Sequence, residues 1–301
     1  TWQRSCTSQA ASRMITEHSA KLKFAPVALL AVSAAWGMAF VVMKDPIAKQ
    51  NVNSFLFTRF FFAVIALLLI KPSVISRFTP ELLKKGSIAG LFLGAGYILQ
   101  TLGLARAGAA ITGFITGLYV VATPVLAALV LKVKINRFTW LCVATATLGL
   151  ALLSLKGWSI GYGEFLVFLC AISFAAHIIA LSKWSNGLDI YALTVIQLTT
   201  CALMTGVISF AQGYKAPVNT SGWLVVFYTA VLCTAIAFIV QTWAQAHMSA
   251  TKVAVILTME VVFAAIFAVI FGSETLTLKA LIGGILVLTA IFMIVLKEPV
   301  T

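Results

Sequence analysis

Ten predominantly apolar runs follow one another along this chain, each about 17 to 24 residues long, and that length constrains the fold more than any other feature. They extend from Pro26 to Met43, Asn53 to Ile70, Gly86 to Ala105, Ile111 to Leu131, Phe138 to Leu155, Gly161 to Ser182, Tyr191 to Ala211, Trp223 to Ala246, Val253 to Phe271 and Ala280 to Leu296. At ~1.5 Å per residue, each is a helix long enough to cross a hydrocarbon core about 30 Å thick. Lipid offers no partner to an open backbone, and the runs lack the alternation of barrel strands, so helices remain. With 61% hydrophobic and 10% charged residues, the chain is far from a soluble globule, where charged side chains approach about a quarter. The expected fold is an all-α polytopic membrane protein. Connections of at most about 15 residues leave no room for a soluble catalytic or binding domain.

The net charge of +13 is a topology signal and does not call for a nucleic-acid partner. With the N-terminus placed in the cytoplasm, fourteen Lys and Arg residues fall inside, six outside, and Arg59 within a span. This positive-inside bias predicts both termini in the cytoplasm and a multi-pass protein of the cell membrane. Residues 1–24 are polar and Ser/Thr-rich, without the pattern of a signal peptide, and read as a disordered cytoplasmic tail. Met14 is an alternative start, a transit peptide is an alternative reading of the opening, and 298–301 form a short C-terminal tail. Cys142, Cys170, Cys201 and Cys233 lie inside spans and Cys6 in the tail, with no metal spacing, and the histidines form no cluster. There is no G-x-x-x-x-G-K-[ST] loop, so neither ATP nor another cofactor or metal is expected.

Polar residues inside the spans are the next constraint. Glu260 sits near the middle of the run from Val253 to Phe271. A charged side chain at a membrane centre costs roughly 2.5 to 3.5 kcal/mol on insertion scales, so it faces protein or water. Glu260 is read as a proton or substrate site, with a structural carboxylate as the alternative. Arg59 lies about a third of the way into the second run from its outer end; it snorkels outward, pairs with an acid, or binds an anionic group of a substrate. Counted from the span ends at ~1.5 Å per residue, Arg59 and Glu260 differ in depth by roughly 5 Å, which keeps pairing open. Gly90 with Gly94, and Gly113 with Gly117, form small-xxx-small patterns that let helix backbones approach closely. Pro124, deep in the fourth run, removes the hydrogen bond to the Val120 carbonyl and marks a hinge or a silent kink.

The second half of the chain repeats the first. At an offset of 138, Trp36 falls on Phe174 and Arg59 on Gln197; at 141, Gln100 falls on Gln241 and Tyr119 on Glu260. Units of five spans, an odd number, enter the membrane in opposite directions. Inverted repeats of this kind place a cargo site near the midplane between the halves and exchange access by rocking.

The stretches TRFFFAVIALLL from Thr58, GYILQTLGLARAGAAITGFITGLYVVATP from Gly96, LCAISFAAHI from Leu169, QTWAQ from Gln241 and LTMEVVFAAIFAVIFGSETLT from Leu257 resemble EamA-type members of the drug/metabolite transporter superfamily, over about Phe24 to Leu296. The resemblance implies ten transmembrane helices in two inverted five-helix repeats, 25–156 and 157–297, around a cavity bounded mainly by helices 1, 3, 4, 6, 8 and 9. It also implies export of small metabolites, amino acids or drugs, often driven by protons. Two departures stand out. Glu260-Val261 replaces the frequent Glu-Pro of helix 9, which weakens the expectation of a kink there, and Phe271-Gly272-Ser273-Glu274 replaces the usual Leu-Gly-Glu.

A buried carboxyl such as Glu260 is suited to taking up a proton in one access state and losing it in the other. Tyr119 is a candidate donor to Glu260 or to cargo, against ordinary packing. Gln100 and Gln241 are candidate cavity amides, since buried amides need partners, with helix bridging as the alternative. Trp36 is a candidate aromatic wall against a flat substrate, with ordinary packing as the alternative, and Tyr97 is a further candidate cavity residue. His177 is either a cavity residue or a structural hydrogen-bonding group. Trp140, Trp158, Trp184 and Trp223 lie near span ends, as interfacial aromatics do. The expected activity is proton-coupled export of a small molecule by a monomer or homodimer embedded in lipid. A lipid flippase or an intramembrane enzyme is the first rival, although an enzyme needs paired catalytic groups; a non-transporting binding or structural protein is the second.

Overall fold

The computed structural model describes residues 24–106, 109–154, 161–272 and 277–297. The rest of the N-terminal tail with Cys6 and Met14, the boundary between units at 156 and 157, Trp158, Ser273, Glu274 and the C-terminal tail lie outside the described residues. Every regular element among the described residues is helical. The first are α1 (Phe24–Val42), the short α2 (Lys44–Lys49), α3 (Val52–Ile70), a 3-10 segment (Pro72–Arg77) and α4 (Pro80–Leu104). Next, α5 (Ala109–Gly117) and α6 (Tyr119–Leu126) meet at Leu118 and run on as a π segment over Ala127–Leu131. α7 (Arg137–Ser154), α8 (Tyr162–Trp184) and α9 (Ile190–Ala211) follow. α10 (Thr220–Ala230) passes through a π segment (Val231–Ile236) into α11 (Ala237–Gln245). The last are α12 (Ala250–Leu257), α13 (Met259–Gly272) and α14 (Leu278–Lys297).

Among the described residues, seven helices are long and apolar enough to cross a membrane, and three shorter apolar stretches, Ile115–Leu131, Arg137–Leu152 and Leu281–Ile294, overlap the fourth, fifth and tenth expected runs. The protein is an integral, multi-pass, all-helical membrane protein. Its helix ends are capped where the chain leaves the apolar zone: Asn51, Thr79, Asp189, Asn219 and Ser249 each accept a backbone N–H at the start of α3, α4, α9, α10 and α12.

Burial follows the logic of lipid rather than water. Large apolar side chains such as Leu203, Phe210, Leu224 and Phe292 face outward, while Thr194, Gln197, Thr205 and Thr242 are fully enclosed. With lipid outside, close packing holds the helices together. A Cβ on Gly37 would lie 2.7 Å from Ala264 N and 2.9 Å from Glu260 O, so α1 and α13 touch backbone to backbone. Gly90 brings α4 equally close to Gln197 of α9, Gly94 packs on Cys201 and Met204, and Gly117 packs on Leu150 of α7. Among the described residues Gly113 has only Val261 Cγ1 near it, at 3.9 Å, so its half of the pattern is not a close contact there.

Two apolar cores result. One joins α3, α4, α9, α10 and the C-terminal part of α8; the other joins α1, α6, α7, α12, α13 and α14 with the middle of α8. Trp36 and Phe174, equivalent in the repeat, pack against both.

Candidate functional site

Between the two cores lies a cavity lined by Trp36, Leu93, Tyr97, Gln100, Thr116, Tyr119, Phe174, His177, Ile178, Phe238, Gln241, Leu257 and Glu260. These residues come from α1, α4, α5, α6, α8, α11, α12 and α13, the segments expected as helices 1, 3, 4, 6, 8 and 9. Ten of the thirteen form repeat-related pairs: Trp36 with Phe174, Tyr97 with Phe238, Gln100 with Gln241, Thr116 with Leu257, and Tyr119 with Glu260. The cavity therefore sits where the two halves of the sequence meet.

The local backbone explains how the polar groups reach it. Near Glu260 the rod is interrupted without proline: Thr258 N bonds to Val255 O at 3.3 Å, Val261 N to Thr258 O at 3.1 Å, and Thr258 Oγ1 also donates to Val255 O at 2.6 Å. Such tight turns, aided by a hydroxyl bonding back to the chain, bend a helix. The same interruption occurs at Leu118, where Leu118 N bonds to Ile115 O and Val121 N to Leu118 O, one residue from the register of the repeat. Tyr119 opens the helical piece that follows, and Glu260 lies in the first turn of its own, after Met259. Pro124 lies inside α6, between the break at Leu118 and the π segment that starts at Ala127.

Glu260 is half-buried, and among the described residues its carboxylate takes part in no hydrogen bond and no ion pair. The Tyr119 hydroxyl is likewise without a hydrogen bond among the described residues. Gln100 donates to Thr116 Oγ1 at 3.3 Å. Gln241 donates to Gln245 Oε1 at 3.1 Å, and Gln245 to the Ile178 carbonyl at 2.6 Å. His177 Nε2 meets Gln197 Oε1 at 2.7 Å, and Gln197 in turn donates to Thr242 Oγ1.

Arg59 is the one charged candidate that does not line the cavity. It is 2% exposed, which removes outward snorkelling, and among the described residues no carboxylate lies within ion-pair distance of it. Its Nε donates to Thr234 Oγ1 at 2.7 Å, and its Nη2 to the Cys233 carbonyl at 3.2 Å and to Tyr97 OH at 3.3 Å. The guanidinium carbon stands 4.9 Å from the Tyr97 ring centre, so this ring separates it from the cavity. The π segment makes the arrangement available. Thr234 Oγ1 bonds five residues back to Thr229 O, and the Cys233 carbonyl accepts from both Arg59 and Trp36 Nε1, the latter at 2.7 Å.

Phe174, Phe238, Thr116, Leu93, Ile178 and Leu257 belong to the lining but do not stand out in the sequence, where they resemble any core residue. The repeat offset is the signal that finds Phe174 from Trp36, and Phe238 from Tyr97.

The EamA-like transporter family model matches this chain twice, over residues 23–155 and 161–296. A protein described as an uncharacterized transporter, from Archaeoglobus fulgidus (strain ATCC 49558 / DSM 4304 / JCM 9628 / NBRC 100126 / VC-16), is 30% identical over 282 residues, covering 92% of this chain and 87% of the relative. A protein of known crystal structure superposes with a TM-score of 0.74 over 91% of this chain and 96% of its own, at 15% identity, and so shares the fold alone. Two successive matches of one model, covering the same two stretches that the internal repeat relates, make the assignment plain: the chain belongs to the EamA-like transporter family.

Proposed function

We propose that the protein is a secondary active transporter, a proton-coupled exporter of a small metabolite such as an amino acid, or of drugs, working by alternating access through the central cavity. The architecture in this reading is ten membrane-crossing helices in two inverted five-helix repeats, with both termini in the cytoplasm and the protein in the cell membrane. Support comes from the seven long and three shorter apolar helices occupying the ten apolar runs, and from repeat-related pairs lining one cavity.

One observation carries the functional reading: Glu260 projects into the cavity with no hydrogen-bond or ion-pair partner among the described residues. A carboxyl desolvated and unpaired is costly in its charged form, so it favours whichever positive partner reaches it, a proton or a cationic group. Exchange between those partners couples proton movement to cargo movement. In this reading Tyr119, the repeat equivalent of Glu260 and part of the same lining, donates to it or to cargo. The contact of Gly37 with the Glu260 carbonyl ties the position of α1 to that of the acid. An enzyme would need a second catalytic group, and among the described residues Glu260 is the only carboxylate in the cavity lining.

Glu260→Gln in purified protein reconstituted into liposomes should abolish cargo flux driven by a pH gradient while leaving the melting temperature close to that of the wild type. Wild-type gradient-driven flux in the variant would refute the proton role. Binding without any flux would favour the non-transporting reading.

A further inference from the structure

The donors and acceptors of the residues that line the cavity are unevenly spent, and this restricts the cargo. The orientation of the Gln241 amide follows from a fixed point. The Ile178 carbonyl only accepts, so the atom of Gln245 at 2.6 Å from it is the amide nitrogen. That places Gln245 Oε1 toward Gln241, where it accepts from Gln241 Nε2 at 3.1 Å. Gln241 Oε1 is then the outstanding group. It is buried, on a residue only 2% exposed, and has no hydrogen-bond partner. A buried amide oxygen left in this state costs about 1 to 3 kcal/mol, so the site is built to receive a donor.

Glu260 adds two more unspent acceptor atoms in the same cavity. The strong donors are already used. The Trp36 indole N–H is given to the Cys233 carbonyl, Gln100 donates to Thr116, and Arg59 is held behind the Tyr97 ring. Among the described residues no Lys or Arg lines the cavity. The two tyrosine hydroxyls can serve either way. A carboxylate or phosphate on the cargo would meet an acid and an orphaned carbonyl oxygen with no cation to receive it. A primary ammonium is a donor for both acceptors, and Trp36, Tyr97, Phe174 and Phe238 supply an aromatic lining for the body that carries it.

From this we infer that the cavity selects an organic cation with a primary ammonium and a flat apolar body, and disfavours anions and zwitterions of the same shape. The inference rests on the transporter reading only for the word cargo; as a statement about binding it stands separately.

Four probes that share a phenyl ring test it by isothermal titration calorimetry on the purified, full-length protein in detergent. They are phenethylamine, its N,N,N-trimethyl analogue, phenylalanine and 3-phenylpropionate. Phenethylamine should bind most tightly and phenylpropionate not at all. The trimethyl analogue keeps the charge but has no N–H, so it should bind roughly tenfold to a hundredfold more weakly than the amine, the ratio that one charge-assisted hydrogen bond supplies. Gln241→Met should weaken phenethylamine by a similar factor and leave the trimethyl analogue unchanged; Glu260→Gln should weaken both cations. Phenylalanine or phenylpropionate binding as tightly as the amine would overturn the inference, as would failure of all four to bind. The wild-type ratios decide the matter even if a variant misfolds. Tight amine binding with no flux of any probe in liposomes would keep the ligand class and overturn the transport reading. Flux of phenylalanine without amine binding would do the reverse.

Discussion

Two acids in this chain show how surroundings divide one functional group into two kinds of behaviour. Asp189 caps α9 at the edge of the apolar zone, where it accepts from Ala192 N at 3.0 Å and pairs with Arg77 at 2.8 Å. Partial desolvation, the largest influence on it, raises its pKa, but the Ala192 N–H and the Arg77 guanidinium together outweigh this and hold the carboxyl below its ordinary value. A depressed carboxyl contributes stability above its unfolded-state value of about 3.9 and loses it as the pH falls through the folded value. Asp189→Asn keeps the cap and loses the ion pair, so it should cost at most about 1 kcal/mol near neutral pH, with the gap to wild type closing near pH 3. Asp189→Ala loses the cap as well and should cost about 1 to 2 kcal/mol. Thermal melts in detergent at the two pH values check both. Glu260 has none of these partners, and that difference directs attention to the cavity. At this scale the sequence brought out residues that the fold gathers together. Glu260, Tyr119, Trp36, Tyr97, Gln100, Gln241 and His177 all line one space. Arg59 was legible as unusual but not as shielded, because its partners are a carbonyl and a hydroxyl from a π segment that no residue pattern announces.

At the scale of helices, interruption and close approach decide the shape of the cavity. The break at Thr258 occurs where proline is absent, so proline spacing is a poor guide to it; a threonine hydroxyl competing for the Val255 carbonyl is enough. Glycine patterns were a better guide, but only in part. Gly37, in no GxxxG pair, makes the tightest approach to the helix that carries Glu260, while Gly113, within such a pair, touches little. Gly37→Ala should therefore force α1 from α13, costing about 1 to 3 kcal/mol and reducing flux. Gly113→Ala meets no atom nearer than 3.9 Å and should be neutral or stabilising by up to about 1 kcal/mol, since alanine is the better helix former. Paired melting curves and flux assays on the two variants check this. Equal losses at both positions would show that the α1 to α13 contact has no special place.

For the whole molecule, the membrane class and the sites of the apolar helices could be read from run length and charge asymmetry, because lipid leaves so few ways to satisfy a backbone. The grouping of helices could not. Each of the two cores draws on both repeats, so the halves interlock rather than lie side by side, and the cavity follows the seam. Which helices share a core is set by packing between distant segments, and apolar sequence is too uniform to specify it. In this account the seam opens alternately to the two faces, with Trp36 and Phe174 where the cores meet. The direct test is access to the cavity wall. Leu93→Cys, in a protein whose native cysteines have been replaced, is treated in liposomes with a membrane-impermeant thiol reagent applied from one face and then from the other. The account predicts modification from both faces, with the balance between them shifted by cargo; modification confined to one face, whatever the cargo or pH gradient, would contradict it.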